Sequence, residues 1–300
     1  MLYFPYPSGL GRAMIELGGE SHGWVDGPAR PYPRERDVTI CIAASCEARK
    51  ESQRKIILCS DTKQSSSIGA AEILVKHAEL TAGWHCLSSG NTLEINMVVK
   101  KLRALFGEAS QVDESNVCPL VEEALRWCLH KKRDELAHSL YSRGYEDLMA
   151  TGKTILPADN FARFAQKIEA VSLEAEFVIA GFAGSDDFLI ETTRTGAVRT
   201  PTHFACVGEG EYLARASLLQ REYMFTCEQD EALYYVYEAK KHAERVNSVG
   251  PMTIVQLLHM DGSLKMMKLD HSGVFDDLYR RFGPQRIGKF DLPADLFHED

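Results

Sequence analysis

Val38-Thr39-Ile40-Cys41-Ile42-Ala43-Ala44, then a charged interval from Glu47 to Arg54, then Lys55-Ile56-Ile57-Leu58-Cys59-Ser60-Asp61: this stretch decides how the chain folds. Both runs are apolar at successive positions, the pattern of strands buried on two faces. Joined by a short polar interval, they read as a β-hairpin. Strand-like segments continue over about 67–80 and across Gly83-Trp84-His85-Cys86-Leu87-Ser88. The period then changes. Leu93, Met97, Leu102, Leu105 and Phe106 recur at near-helical spacing between Asn91 and Phe106, with Asn91 as N-cap, Glu94 three residues later and Gly107 after the end.

A second helix is expected over about 116–141, then a loop and a short helix around 159–170. Strands return at Glu176–Phe182, Phe188–Thr192 and His203–Val207, and helices at about Glu211–Tyr223 and Asp230–Val246. Met252–Leu258 and Leu264–Met267 flank Asp261-Gly262, a pair suited to the positive φ angles of a tight turn. Strands and helices thus come in blocks, which favours an α+β chain of antiparallel sheets with helices outside and disfavours a doubly wound parallel sheet.

Composition narrows the function. The 300 residues are 45% hydrophobic and 26% charged with a net charge of −9, which excludes a wholly disordered or fibrous chain. No basic run exceeds Lys131-Lys132-Arg133, so nucleic acid is not an expected partner. No apolar run approaches the ~20 residues of a membrane span. The eight cysteines form no C-x-x-C pair, so neither a structural metal nor a cofactor is expected, and buried free thiols in a reducing cytoplasm are. Residues 1–37 differ from the rest: they hold five of the eleven prolines and six of the 22 glycines, without periodicity and without a secretion signal.

Phosphate loops, nucleophile elbows and H-E-x-x-H are absent, and Gly208-Glu209-Gly210 lacks the third glycine of a dinucleotide fingerprint. What carries chemistry is an ordered set of fragments. Leu58-Cys59-Ser60-Asp61-Thr62-Lys63 closes the first hairpin. Val75-Lys76-His77 follows, then Ser88-Ser89-Gly90-Asn91 and later Gly208-Glu209-Gly210-Glu211. Taken singly, Asp61 caps a turn and Lys76 is a surface lysine on an edge strand; only together do they read as a functional pair. In this order and spacing the fragments resemble the proteasome β-type family of N-terminal nucleophile hydrolases, over about Val38 to Met267.

The resemblance implies a four-layer αββα sandwich of two antiparallel sheets flanked by helices. It implies a threonine nucleophile whose own α-amine is the general base, a lysine that favours the alkoxide, a carboxylate that orients the lysine, and an oxyanion-binding backbone N–H. Carried over, Thr39 is the nucleophile, Lys76 the lysine, Asp61 its carboxylate and Gly90 the oxyanion glycine. Lys63 stands where the family often has arginine, Glu209 replaces a serine near the terminal amine, and Ser248 is retained. The implied activity is hydrolysis of peptides or small amides, and the implied assembly a ring or stack of copies. A non-catalytic, assembly-type subunit is the alternative, because Thr39 follows Val38 and no self-cleavage glycine precedes it. A third reading, a related acylase with a cysteine nucleophile, has only Cys41 to offer.

The expected organisation is a single domain over 38–270 with an insertion at about 142–170, and a polar tail over 271–300. Residues 1–37 are expected to be a disordered extension or a misassigned start. For the second, a GTG codon at Val38, behind an Arg34-Glu35-Arg36 encodable as purine-rich AGG-GAG-AGG, would place Thr39 directly after an initiator methionine that is removed.

Overall fold

The opening hairpin forms as an antiparallel ladder of β1 (Cys41–Glu47) and β2 (Arg54–Asp61), paired from Cys41 with Ser60 to Glu47 with Arg54. In this computed structural model residues 39–47, 53–66, 69–71, 76–267 and 272–284 are described, all within one unit spanning Glu35–Asp300. The expectations for residues 1–37, for Val38 and Val75, and for the end of the tail lie outside them. The first strand begins at Cys41, later than expected, and Thr39 and Ile40 precede the ladder as buried chain outside any strand.

Downstream come the short pair β3 (Gln64–Ser66) and β4 (Gly69–Ala71) and then β5 (His77–Thr81), where strand-like chain was expected over about 67–80, and β6 (Trp84–Gly90), where it was expected across Gly83–Ser88. Helices α1 (Thr92–Glu108) and α2 (Val117–Tyr141) follow. Asn91 caps α1 as expected, accepting the N–H groups of Leu93 at 3.0 Å and Glu94 at 3.3 Å, but the helix runs through Gly107. The expected loop after Ser142 is largely the helix α3 (Tyr145–Ile155), while the short helix expected around 159–170 forms as α4 (Ala158–Glu169).

The chain continues with β7 (Ala175–Ala183), β8 (Asp186–Thr192), the unforeseen two-residue β9 (Val198–Arg199), β10 (Phe204–Val207), α5 (Glu211–Gln220), α6 (Gln229–Ala243), β11 (Thr253–His259), β12 (Leu264–Met266) and α7 (Ser272–Phe282). The last hairpin uses a four-residue loop in which Gly262 alone has positive φ, at 81°, so Asp261 does not share the role expected of the pair. The region expected as a polar tail contains α7.

Among the described residues, beside the β3-β4 pair, two five-stranded antiparallel sheets result, ordered β10-β1-β2-β11-β12 and β5-β6-β7-β8-β9. The two-residue side-chain period of a strand sorts the core. Cys41, Ala43, Ile56 and Leu58 of the first sheet share a buried cluster with Leu87, Val178 and Ala180 of the second. Ile42, Ala44, Ile57 and Cys59 turn the other way, onto Ala214 and Leu218 of α5 and Val236 and Ala239 of α6. Trp84, Cys86, Phe177 and Ile179 turn from the second sheet onto Val98, Leu102 and Phe106 of α1 and Val121 and Leu125 of α2. This is an α+β architecture of two sheets with helices on them.

Candidate active site

Three elements deliver three polar side chains to one buried point. Thr39 precedes β1, Asp61 ends β2, and Lys76 lies just before β5, where its carbonyl accepts the Ser88 N–H at 3.0 Å and so fixes it against β6. The Thr39 hydroxyl donates to Asp61 Oδ1 and accepts from Lys76 Nζ. Lys76 Nζ also reaches Asp61 Oδ1 at 2.8 Å. Relative exposures are 1% for Thr39, 0% for Asp61 and 7% for Lys76. A cation and an anion at that depth require mutual pairing, since leaving one partner alone costs about 3–5 kcal/mol.

Asp61 is held from both sides. Its Oδ1 also accepts the Ile40 N–H at 3.2 Å, and its Oδ2 accepts the Gly250 N–H at 2.8 Å. The carboxylate is therefore locked in orientation, and the ammonium it faces is locked onto the hydroxyl oxygen. An oxygen in contact with a buried cation is favoured as an alkoxide, the form a nucleophile needs.

The backbone is pressed flat around Thr39. Gly208 has φ +104°, and a Cβ there would lie 2.3 Å from the Thr39 carbonyl oxygen and 2.9 Å from Ser89 Oγ. The Gly210 N–H approaches the same carbonyl at 3.5 Å. Only glycine tolerates both that φ and that approach. Gly90, with φ +115°, ends β6 where the chain turns into α1, and a Cβ on it would lie 2.1 Å from the Glu174 carbonyl oxygen.

The structure thus brings Thr39, Asp61 and Lys76 together. Gly90 it places at the turn directly after Ser89. Lys63 does not reach the carboxylate: its Nζ donates to the Asn247 carbonyl at 2.7 Å. Ser248 and Glu209 pair with each other at 3.4 Å on the exposed side of the loop. Cys41 is fully buried, its thiol aimed at the Ser88 carbonyl at 3.4 Å, and burial above all pushes that thiol far up, Lys76 opposing. This removes Cys41 as a nucleophile. Sequence reading missed Gly250, which acts through its N–H and leaves no side-chain signal. Among the described residues no three His, Cys, Asp or Glu side chains converge as a metal site, and no helix is long and apolar enough to cross a membrane.

Comparison with known proteins gives one kind of likeness. No protein-family model matches the chain, and no curated protein does. Among solved structures, the Anbu (Gly-1) mutant from Hyphomicrobium sp. strain MC1 superposes with a TM-score of 0.53 at 15% identity, covering 81% of this chain and 96% of that one. At that identity the likeness is one of fold: the two sheets and their helices are shared architecture.

Proposed function

We propose that this chain is a threonine-type amide hydrolase of the proteasome-like kind, acting on peptides, with Thr39 as its nucleophile once the Thr39 amino group is free. The observation that carries the reading is the convergence of Thr39, Asp61 and Lys76 on one buried hydroxyl oxygen. The neighbouring fold points the same way, because Anbu is a bacterial proteasome-like N-terminal nucleophile hydrolase. On this reading the sheets and helices form the four-layer αββα sandwich of that class, and copies assemble into a ring or stack.

The free α-amine of Thr39, with an ordinary pKa near ~8, takes the hydroxyl proton at neutral pH. Oγ1 attacks the peptide carbonyl while Lys76 stabilises the developing oxygen charge and Asp61 keeps Lys76 in place. The Gly90 N–H holds the tetrahedral oxyanion, a contribution of about 3–4 kcal/mol in comparable sites. Collapse expels the amine with the proton taken from Oγ1 and leaves an ester on Thr39, which water hydrolyses by the same base. A second reading, a non-catalytic assembly subunit, is favoured by one covalent fact: in the chain as written the Thr39 nitrogen is the amide following Val38.

The N-terminus of the protein made from its native gene, read by intact mass and N-terminal sequencing, separates the two. A chain beginning at Thr39 that hydrolyses peptide, with Thr39→Ala folded and at least ~10³-fold slower, is the expected result. A chain retaining Val38, or a Thr39→Ala variant as active as its parent, overturns the hydrolase reading.

A further inference from the structure

We infer that Lys240 is a positioning residue for Asp61, acting through the backbone of the loop that joins α6 to β11; the inference rests on the hydrolase reading above. Lys240, on α6, is 0% exposed and spends all three ammonium donors: on Glu244 Oε1 at 2.6 Å, the Gly250 carbonyl at 2.7 Å and the Pro251 carbonyl at 2.9 Å. A helix that only had to pack would carry an apolar side chain here, because burying an ammonium costs several kcal/mol before its partners repay it. Nor does charge balance explain the reach into the loop, since Glu244 also takes Lys241 at 3.3 Å.

What the two carbonyls gain is orientation. They belong to consecutive residues, so holding both fixes the Gly250–Pro251 and Pro251–Met252 peptide planes, and with them the Gly250 Cα from which its own N–H projects. The Gly250 N–H then points at Asp61 Oδ2, 2.8 Å away, and is the donor to that oxygen among the described residues. The other oxygen, Oδ1, carries Thr39, Ile40 and Lys76. With Oδ2 released the carboxylate is oriented from one side only, through Oδ1, and its angle to Lys76 is less tightly fixed. On its outer side the same loop is held by Lys63 at Asn247. Two lysines therefore fix one loop, and that loop fixes the carboxylate.

The test uses the full chain with Lys240→Met, which keeps the length and removes the donors, and Lys240→Gln, which keeps two. Two quantities are read: amide hydrogen exchange at Gly250, and kcat and KM for peptide hydrolysis. Lys240→Met is expected to speed Gly250 exchange and lower kcat, each about tenfold or more, the worth of about one hydrogen bond, with KM within about twofold. Lys240→Gln is expected to lie nearer the parent in both. A folded Lys240→Met with Gly250 exchange unchanged, or with faster exchange and unaltered kcat, overturns the inference. So does failure of both variants to fold, which assigns Lys240 to stability alone. If the parent does not hydrolyse peptide, the hydrolase reading falls by itself, and Gly250 exchange still decides whether Lys240 positions the loop.

Discussion

Gly208 is where one residue's chemistry bears hardest on the site. Its φ of +104° is one L residues rarely adopt, and its Cα lies against the Thr39 carbonyl. Gly208→Ala therefore meets two penalties, backbone strain of about 1–3 kcal/mol and a Cβ driven into backbone. The Thr39 segment must shift by the better part of an ångström, and a shift of that size costs a positioned reaction about 10²-fold. The expected outcome is a Gly208→Ala protein that folds with a lower melting temperature and hydrolyses peptide about 10²-fold more slowly. A variant as fast as its parent would show that the close approach does not set the nucleophile's position. Gly208 was visible in the sequence only as part of a glycine pair around Glu209; that it touches Thr39, 169 positions earlier, is a tertiary fact. Asp61 and Lys76 were legible only as members of an ordered set of fragments: Asp61 closes the clean apolar run of β2, whereas Lys76 lies inside the segment read as strand-like over about 67–80. Gly250 was not, since a backbone N–H is the same group in every residue but proline.

At the level of elements, β5 and β6 carry a second cluster beside the site. His77, next to Lys76, stacks on His85 across the pair with centroids 4.9 Å apart, and His77 Nε2 lies 2.9 Å from His85 Nδ1. Burial first, then His85 and Arg103, hold His77 at about 4, while Glu79 faces His85 and opposes its own burial-driven lowering. A histidine depressed in the fold takes its proton first in the unfolded chain, so stability is complete above about pH 6.5 and drains away as pH falls toward 4. Allowing for the part of the ring open to water, the loss is about 1–2 kcal/mol. Urea denaturation at pH 7 and pH 4.5 should show His77→Gln losing less stability than the parent by that amount; equal losses would remove His77 as the cause. Element type was readable where the period was clean, as in β1, β2 and α1. It failed where local signals conflict. Over 142–158 the chain contains Gly152 and Pro157, residues that ordinarily weaken a helical pattern, yet Gly152 sits inside α3, where Phe161 of α4 fills the space a Cβ would take. Helix α5 stops at Gln220 because Glu222 turns left-handed at φ 51°, with Tyr223 N–H on Leu218 and Glu222 N–H on Leu219, both at 3.0 Å; the residue there is not the usual glycine, so nothing announced the stop.

Across the whole molecule, the two sheets are joined by more than their shared apolar layer. Strand β10 is the edge of the first sheet, and an edge strand exposes backbone groups to whatever will pair with them. Here Cys206 has both groups taken. Its N–H donates to Glu191 of β8, in the second sheet, at 3.3 Å, and its carbonyl accepts from Arg215 of α5 at 2.7 Å. Glu191 and Arg215 also pair directly, with Glu191 5% exposed. The ion pair closes the edge and ties sheet to sheet and sheet to helix. Arg199 approaches Glu191 only at 3.8 Å, with its side chain 69% exposed, so screening leaves it little to contribute. Glu191→Gln keeps the shape and removes the charge that Arg215 and the Cys206 N–H both use. It is expected to cost about 2–3 kcal/mol, somewhat under the value for a fully buried pair because Arg215 is partly open to water. Arg199→Gln should stay within about 0.5 kcal/mol. Urea denaturation of the two variants beside the parent measures both. Equal small losses in both variants would mean that the apolar layer alone holds the sheets together.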